Sequence, residues 1–250
     1  MHAEQDPYWA VVTWDKFKGL HDDAARLEEF FETGRQHVES VMKIAGQLLP
    51  GFAPRTVLDF GCGVGRLLVP FAATGCAVSG VDISEKMLSL TRENLALRGF
   101  KPVDLATSIP GLPAGAVYDL VHSFIVIQHI PVRDGVRAFG ELLDRVAPGG
   151  VAALHVTYAV KAFWNETSVG SLWNHGKSLI LGSKLLTGLA EKLRGKRIVP
   201  PLPMGNYPLN ELFAGLHDRR FNSLVIRPSL HGVRGLVIFA TREPDPAIVF

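Results

Sequence analysis

The chain has 250 residues, 47% hydrophobic and 20% charged, which excludes a disordered polymer and allows one α/β domain with a full core. A formal net charge of +2 falls far short of a nucleic-acid footprint, and two cysteines, Cys62 and Cys76, make no disulfide framework. The N-terminal residues show no basic region followed by an apolar core, and no run approaches the roughly 20 apolar residues that span a bilayer, so a cytoplasmic protein is the expectation.

Residues 6–21, with Pro7, Tyr8, Trp9, Trp14 and Phe17, form an aromatic-rich lead-in. Asp22 or Asp23 is the candidate cap of a long helix in which Leu27, Phe30, Phe31, Val38, Val41, Met42, Ala45, Leu48 and Leu49 recur at steps of three and four, up to Pro50-Gly51. Packing on a sheet is the plain reading of that stripe, with Tyr8, Trp9 and Trp14 as candidates for a flap.

The stretch Val57-Leu58-Asp59-Phe60-Gly61-Cys62-Gly63-Val64-Gly65-Arg66 then carries an apolar run into three glycines at alternate positions. An amphipathic segment with Leu67, Leu68, Phe71 and Ala72 follows. Strand, tight turn and helix are expected, because glycine reaches positive φ at no steric cost and a helix N-terminus presents unpaired N–H groups. The dinucleotide fingerprint G-x-G-x-x-G fails here, since Arg66 stands where the third glycine is required and Gly65 falls one place early. Asp59 puts a carboxylate where a phosphate-binding strand is normally apolar. The turn therefore suits a ligand with a positively charged end better than a pyrophosphate. Cys62, inside the turn, reads as a small buried residue rather than a nucleophile.

Ala77-Val78-Ser79-Gly80-Val81-Asp82-Ile83-Ser84 reads as a second strand. Asp82 stands about 20 residues after Gly61, the spacing at which an acid at a strand end takes ribose hydroxyls, and a nicotinamide cofactor fits this spacing equally well. A third strand is expected within Gly99 to Thr107, where Asp104 is the acid for an adenine-side loop, before the turn-rich Ser108 to Gly115. Val117 to Phe124 reads as a fourth strand whose C-terminal end brings Ser123, Phe124, Gln128 and His129 to the ligand crevice. A helix from Asp134 to Val146 and a fifth strand from Val151 to Thr157 follow. The alternation predicts a parallel, doubly wound sheet.

After Thr157 the rhythm breaks. Ser178-Leu179-Ile180-Leu181, Leu185-Leu186, Leu189 and Leu193 make an amphipathic stretch bearing Lys177, Lys184, Lys192, Arg194, Lys196 and Arg197. A lid or packing helix is the preferred reading, and contact with a membrane surface through 177–197 the alternative. A helix from Tyr207 to His217 and two strands, Ser223 to Arg227 and Gly232 to Thr241, close the chain. No internal repeat appears, so a single domain over 1–250 is expected.

VLDFGCGVGR followed by VSGVDIS resembles motifs I and II of the class I S-adenosylmethionine-dependent methyltransferases. The likeness continues through Glu85-Lys86-Met87-Leu88, Tyr118-Asp119-Leu120-Val121-His122-Ser123, Ile127-Gln128-His129-Ile130-Pro131 and the Pro148-Gly149-Gly150 before the fifth strand, covering residues 55–157. The resemblance implies a Rossmann-like, doubly wound α/β sheet of seven strands with an antiparallel last strand. It also implies an N-terminal helical cap (1–54), a cofactor-binding core (55–157), an insert or lid (158–206), and a closing helix and strand pair (207–242). The implied cofactor is S-adenosyl-L-methionine, its methionine portion on the turn Gly61, Cys62, Gly63, Gly65 and Arg66, its ribose on Asp82. Ile83, Met87, Asp104, Ser123, Phe124 and Gln128 complete the implied site, and Asp59 either meets the cofactor's ammonium through a water or holds the turn in shape.

The protein would hold an acceptor in line with the sulfonium methyl, exclude water and remove a proton where needed. No metal is implied, and no His/Cys cluster has zinc spacing. Phe124 or Tyr158 would set an aromatic face near the sulfonium. His129 is the candidate general base, with fixing the loop near Pro131 as the competing reading. His122, inside a strand, reads as structural. Tyr158 and Trp164 are the candidate acceptor-binding residues, with His155, Glu166 and His175 nearby in sequence. Ser123-Phe124-Ile125-Val126 stands where base amino-methyltransferases carry an N-P-P-Y-like stretch, and the paired glutamates of protein arginine methylation are absent. A small-molecule acceptor is left, such as a hydroxyl of a natural-product or sugar-like compound, and the basic insert keeps a lipid-linked or anionic acceptor open. The competing classes are a non-catalytic cofactor- or partner-binding protein on this fold, and a nicotinamide reductase.

Overall fold

The computed structural model describes residues 5–20, 23–159, 204–230 and 234–244. The insert stretch 160–203, with Trp164, Glu166, His175 and 177–197, lies outside the described residues, as do Asp22 and His231. Seven strands form one sheet in the order β3-β2-β1-β4-β5-β7-β6. They are β1 (Thr56–Phe60), β2 (Ala77–Val81), β3 (Leu105–Ala106), β4 (Tyr118–Ser123), β5 (Val146–Ala159), β6 (Phe221–Leu230) and β7 (Arg234–Arg242). β1 to β5 pair in parallel, and β7 runs antiparallel to both β5 and β6. The antiparallel last strand is thus as the resemblance implied.

Continuous apolar runs suit strands covered on both faces. Val57, Val78, Leu120, Val151 and Ala153 turn to one core, and Leu58, Val121, Ala152 and Leu154 to the other. The first core is closed by α1 (Pro7–Val12), α2 (Ala24–Leu48), α3 (Leu68–Ala73) and α4 (Glu85–Ala96), the second by α5 (Val132–Asp144) and α6 (Leu209–Asp218). Asp23 caps α2, its carboxylate accepting the Arg26 N–H at 3.0 Å. The apolar stripe of α2 lies down as the periodicity predicts, with Phe30, Phe31, Val38, Val41 and Ala45 buried. The phenylalanine and valine side chains among them each contribute about 1.5–3 kcal/mol by leaving water. At Gly34 a Cβ would overlap the carbonyl oxygen of Arg66, so the backbone of α2 lies directly on the end of the glycine turn.

Several boundaries differ from the sequence reading. The segment after the turn is not amphipathic: Leu68 to Ala72 are all buried, because α2 covers the side that would otherwise meet water. β3 shrinks to two residues, although Val103 N–H already bonds the Val78 carbonyl. α5 starts at Val132, directly after Pro131, and Asp134 sits in its first turn, where a carboxylate favours the helix dipole. β5 begins five residues earlier than expected, running through Pro148-Gly149-Gly150 with a register shift between Tyr118 and Leu120 on its neighbour. The lead-in is packed rather than free at Tyr8, which is buried edge-on to Phe30 and bonds Asn94 at 3.2 Å, while Trp14 stacks on Phe17 and is half exposed. Among the described residues no helix is long and apolar enough to cross a membrane.

Candidate functional site

The C-terminal ends of β1, β2 and β4 meet at the glycine turn, the place where open α/β sheets bind ligands. Gly61, Gly63 and Gly65 have φ of 81°, 58° and 83°, the left-handed region that their spacing suggested. The Gly61 and Cys62 N–H groups both bond the Val81 carbonyl, at 2.7 and 3.0 Å, tying the turn to the end of β2. Side chains press on it from outside. A Cβ at Gly61 would overlap Val126, and one at Gly63 would lie 2.8 Å from Val11 of α1.

Asp82 accepts the Gly63 N–H at 2.9 Å through one carboxylate oxygen and the Ser84 N–H at 2.9 Å through the other. Burial pushes its carboxyl upward, those two N–H groups hold it back, and the charge of Asp59 raises it further. Beside it Ile83 is 91% exposed at the strand end, whereas Met87 is buried in α4. Two residues that the sequence reading did not single out complete this support. Thr91 donates to the Gly63 carbonyl at 2.7 Å and Asn94 to the Val64 carbonyl at 2.9 Å. Their signal was present, since Met87, Thr91 and Asn94 share one helical stripe, and polar residues in a buried stripe imply specific partners.

Asp59 is 2% exposed and register-paired with His122 across β1 and β4. His122 Nδ1 lies 2.8 Å from Asp59 Oδ1, and His122 Nε2 lies 3.0 Å from Nε2 of His37 on α2. Phe124 tilts against His37 at 4.4 Å and meets His155 edge-on at 5.2 Å. His155 Nε2 in turn is 2.6 Å from the Ser229 hydroxyl, a contact made through the space where Gly235 lacks a side chain. Burial lowers the Arg66 guanidinium to about 10, with the Asp59 charge acting against that fall, and Arg66 Nε is buried with no hydrogen-bond partner among the described residues. Burial, then the charges of Asp59 and Asp82, push the Cys62 thiol well up, so it fills space rather than acting as a thiolate.

At the end of β4 the Ser123 hydroxyl donates to the Phe60 carbonyl at 3.0 Å. Ile125 has φ of 60°, an outlier for a β-branched residue. The short turn Ile127–His129 carries buried Gln128, whose Nε2 is 3.1 Å from Nε2 of half-buried His129, and Gln128 Oε1 has no partner among the described residues. The Tyr207 hydroxyl reaches the Ile127 and Ile130 carbonyls at 2.6 and 2.7 Å, and the Gly205 N–H bonds the Gln128 carbonyl at 2.8 Å. Burial pushes Tyr207 up to about 12, so it remains a donor. Tyr158, 39% exposed, stands near the end of β5. Asp104 is not brought to this cluster. It precedes β3, whose register sets Leu105 opposite Gly80, so the level of Asp82 is reached only at Thr107. No group of three or more His, Cys, Asp or Glu ligands exists among the described residues.

Residues 57–150 match the methyltransferase-domain family. The chain is 31% identical over 212 residues to a malonyl-[acyl-carrier protein] O-methyltransferase of Erwinia pyrifoliae, covering 78% of this chain and 77% of that protein. It is 35% identical over 148 residues to a ubiquinone biosynthesis O-methyltransferase of Paramagnetospirillum magneticum, covering 57% and 56%. Relatives of that second kind are thus matched over little more than half their length. The structure of magnesium protoporphyrin IX methyltransferase from Synechocystis PCC 6803 with bound SAH superposes with a TM-score of 0.56 at 21% identity, over 97% of this chain and 100% of that one, which shows the shared fold. The chain belongs to the class I S-adenosylmethionine-dependent methyltransferases.

Proposed function

We propose that this chain transfers the methyl group of S-adenosyl-L-methionine to a small-molecule acceptor, with a hydroxyl oxygen as the favoured nucleophile. The observation that carries the reading is the crevice at β1 and β2. There a turn of three left-handed glycines lies between two carboxylates, Asp59 and Asp82, with the exposed Ile83 at its rim. Those groups fit the cofactor's parts. Asp82 suits a ribose diol, Ile83 an adenine face, and the buried, partnerless Nε of Arg66 a carboxylate. When bound, the cofactor supplies an electrophilic methyl on a sulfonium cation.

The chain's own residues do the rest. Gly61, Gly63 and Gly65 let the ligand approach the backbone, and Asp59 places negative charge at the floor of the crevice. Phe124 offers an aromatic face toward a cation at the end of β4. His129, on the turn held by Tyr207 and Gly205 and beside the Gln128 amide, is the group that takes the acceptor's proton. Tyr158 lines the acceptor side, and Trp164 and the insert belong to the same reading. Both curated relatives named above are O-methyltransferases, which supports oxygen as the atom modified.

Titration calorimetry of S-adenosylmethionine and its demethylated product, with NADH as control, tests the cofactor. Micromolar affinity for the first pair alone is expected. A labelled-methyl screen over hydroxylated acceptors then tests turnover, and His129→Ala should lower kcat at least 100-fold with cofactor affinity kept. Cofactor binding with no turnover on any acceptor would move the non-catalytic reading ahead.

A further inference from the structure

The glycine turn is covered by side chains from two sides. Val126, from the loop after β4, fills the space a Cβ would take at Gly61, and Val11 of α1 comes within 2.8 Å of the corresponding point at Gly63. A molecule laid along the backbone of this turn therefore meets Val11 as well as the strand ends. Val11 is partly buried and packs against the first core, so it holds this place as part of the fold.

A buried amide fastens α1 over the turn. Asn94 of α4 is 2% exposed; its Nδ2 donates to the Val64 carbonyl at 2.9 Å, and its Oδ1 accepts the Tyr8 hydroxyl at 3.2 Å. The same side chain thus holds the turn with its nitrogen and α1 with its oxygen. The Tyr8 ring stands edge-on to Phe30 at 5.3 Å. With six residues α1 is too short to persist by its own hydrogen bonds, so its place depends on such contacts. Behind it Thr13 has φ of 55°, a left-handed conformation that is costly outside glycine, and Phe17 and Leu20 beyond are fully buried. A short helix hung from a fixed anchor belongs to the elements that open at low cost.

We propose that α1 is a wall of the cofactor site, with Val11 lying against the bound cofactor above Gly63 and the Tyr8–Asn94 hydrogen bond as the latch that sets how fast the cofactor leaves. The proposal rests on the cofactor reading given above. Asn94 decides the direction of the effect. With α1 seated, both ends of its amide are satisfied while it holds the turn; with α1 lifted, Oδ1 loses Tyr8. The turn is best held in the seated state, and a cofactor that uses the turn favours that state. Val11 touches the cofactor, whereas Tyr8 and Asn94 are positioning residues. Spent product leaves past the same wall as the donor, so both dissociation rates answer to the latch.

The test is the dissociation rate of labelled S-adenosylmethionine and of its demethylated product, each chased with unlabelled compound, in the wild type, Tyr8→Phe and Val11→Ala. Tyr8→Phe keeps the ring against Phe30 and removes only the hydroxyl. It should release both compounds about fivefold faster, the weight of one hydrogen bond. Val11→Ala should release them about five- to tenfold faster, as two methyl groups leave the contact, with association changed less than about twofold in either variant. Hydrogen exchange at the Ala10 and Thr13 amides, bonded to the Asp6 and Trp9 carbonyls, should slow about tenfold in the wild type when the cofactor binds. A tie that merely supports the fold gives no such ligand-dependent protection. Thermal melts establish that each variant is folded, and Val11→Ala decides if Tyr8→Phe is not. Unchanged dissociation in the folded variants, or exchange in α1 that ignores the cofactor, overturns the proposal. So does tighter binding in the variants, which would mean that α1 occupies the cofactor's place. Failure of the wild type to bind either compound overturns the cofactor reading itself, a distinct outcome.

Discussion

At the scale of single residues the site is a set of groups held in place before any ligand arrives. Asp82 illustrates the tension. Its oxygens are fixed by the Gly63 and Ser84 N–H groups, yet burial and Asp59 keep its carboxyl above the usual value of 3.8. A carboxyl raised on folding binds more protons folded than unfolded, so this group's stabilising share is full below pH 3.8 and declines as pH climbs through the raised value. Melting temperatures of the unliganded chain between pH 4 and 7 should carry that decline, and Asp82→Asn should flatten it. The same substitution should weaken S-adenosylmethionine binding at least 30-fold, an expectation on the order of 2 kcal/mol for a lost charge-assisted hydrogen bond. An unchanged affinity would remove Asp82 from the site. A residue that favours ligand over stability in this way is common at binding sites.

At the scale of elements α2 makes a sharper statement, because two glycines of one helix should respond in opposite directions. At Gly34 a Cβ would overlap the Arg66 carbonyl, a backbone atom that cannot move without dragging the turn, whereas nothing lies within 4 Å of a Cβ at Gly46. Alanine is better than glycine in a helix by about 0.8–1 kcal/mol. Gly46→Ala should therefore raise stability by roughly 0.5–1 kcal/mol, and Gly34→Ala should lower it by about 2 kcal/mol or more. Denaturant titration of both variants decides the matter, and equal effects would show that α2 does not seat on the turn. The sequence made α2 legible as a stripe, since burial follows a period of 3.6. It left Gly34 unremarked, because close approach of two backbones is a tertiary fact with no local pattern. The glycine turn was legible for the opposite reason, positive φ being a property of each residue in itself. His37 shows the limit again: its partner His122 lies on β4, 85 positions away, and no spacing rule joins a helix position to a strand position.

For the molecule as a whole, the parallel strands were legible in the alternation of elements and the antiparallel β7 in the resemblance, while strand lengths depend on neighbours. β5 runs past Thr157 because β7 pairs with it as far as Ala159, and it begins early because Val146 pairs with Tyr118 of β4. The link between the two ends of the insert was not legible at all. Thr157 near the end of β5 donates its hydroxyl to the Gly205 carbonyl at 2.6 Å, its own carbonyl accepts the Tyr207 N–H at 2.8 Å, and Gly205 and Tyr207 both hold the turn bearing Gln128 and His129. Residues on either side of 160–203 are thus tied to each other and to the candidate base. The Tyr207 hydroxyl has one hydrogen for two carbonyl oxygens, and Gly135 leaves room for its ring. Tyr207→Phe keeps the ring and removes the donor, so the Ile127 and Ile130 carbonyls lose it together. Stability should fall by about 1–2 kcal/mol, the cost of buried acceptors left without a partner. Because the turn then positions His129 less well, kcat should fall about tenfold with cofactor affinity unchanged, since misplacement of a proton acceptor acts on the transition state. A loss of stability with kcat intact would make Tyr207 a structural tie alone. A fall in both, with cofactor affinity intact, would make the tie from Thr157 and Tyr207 to the Ile127–His129 turn part of the catalytic apparatus.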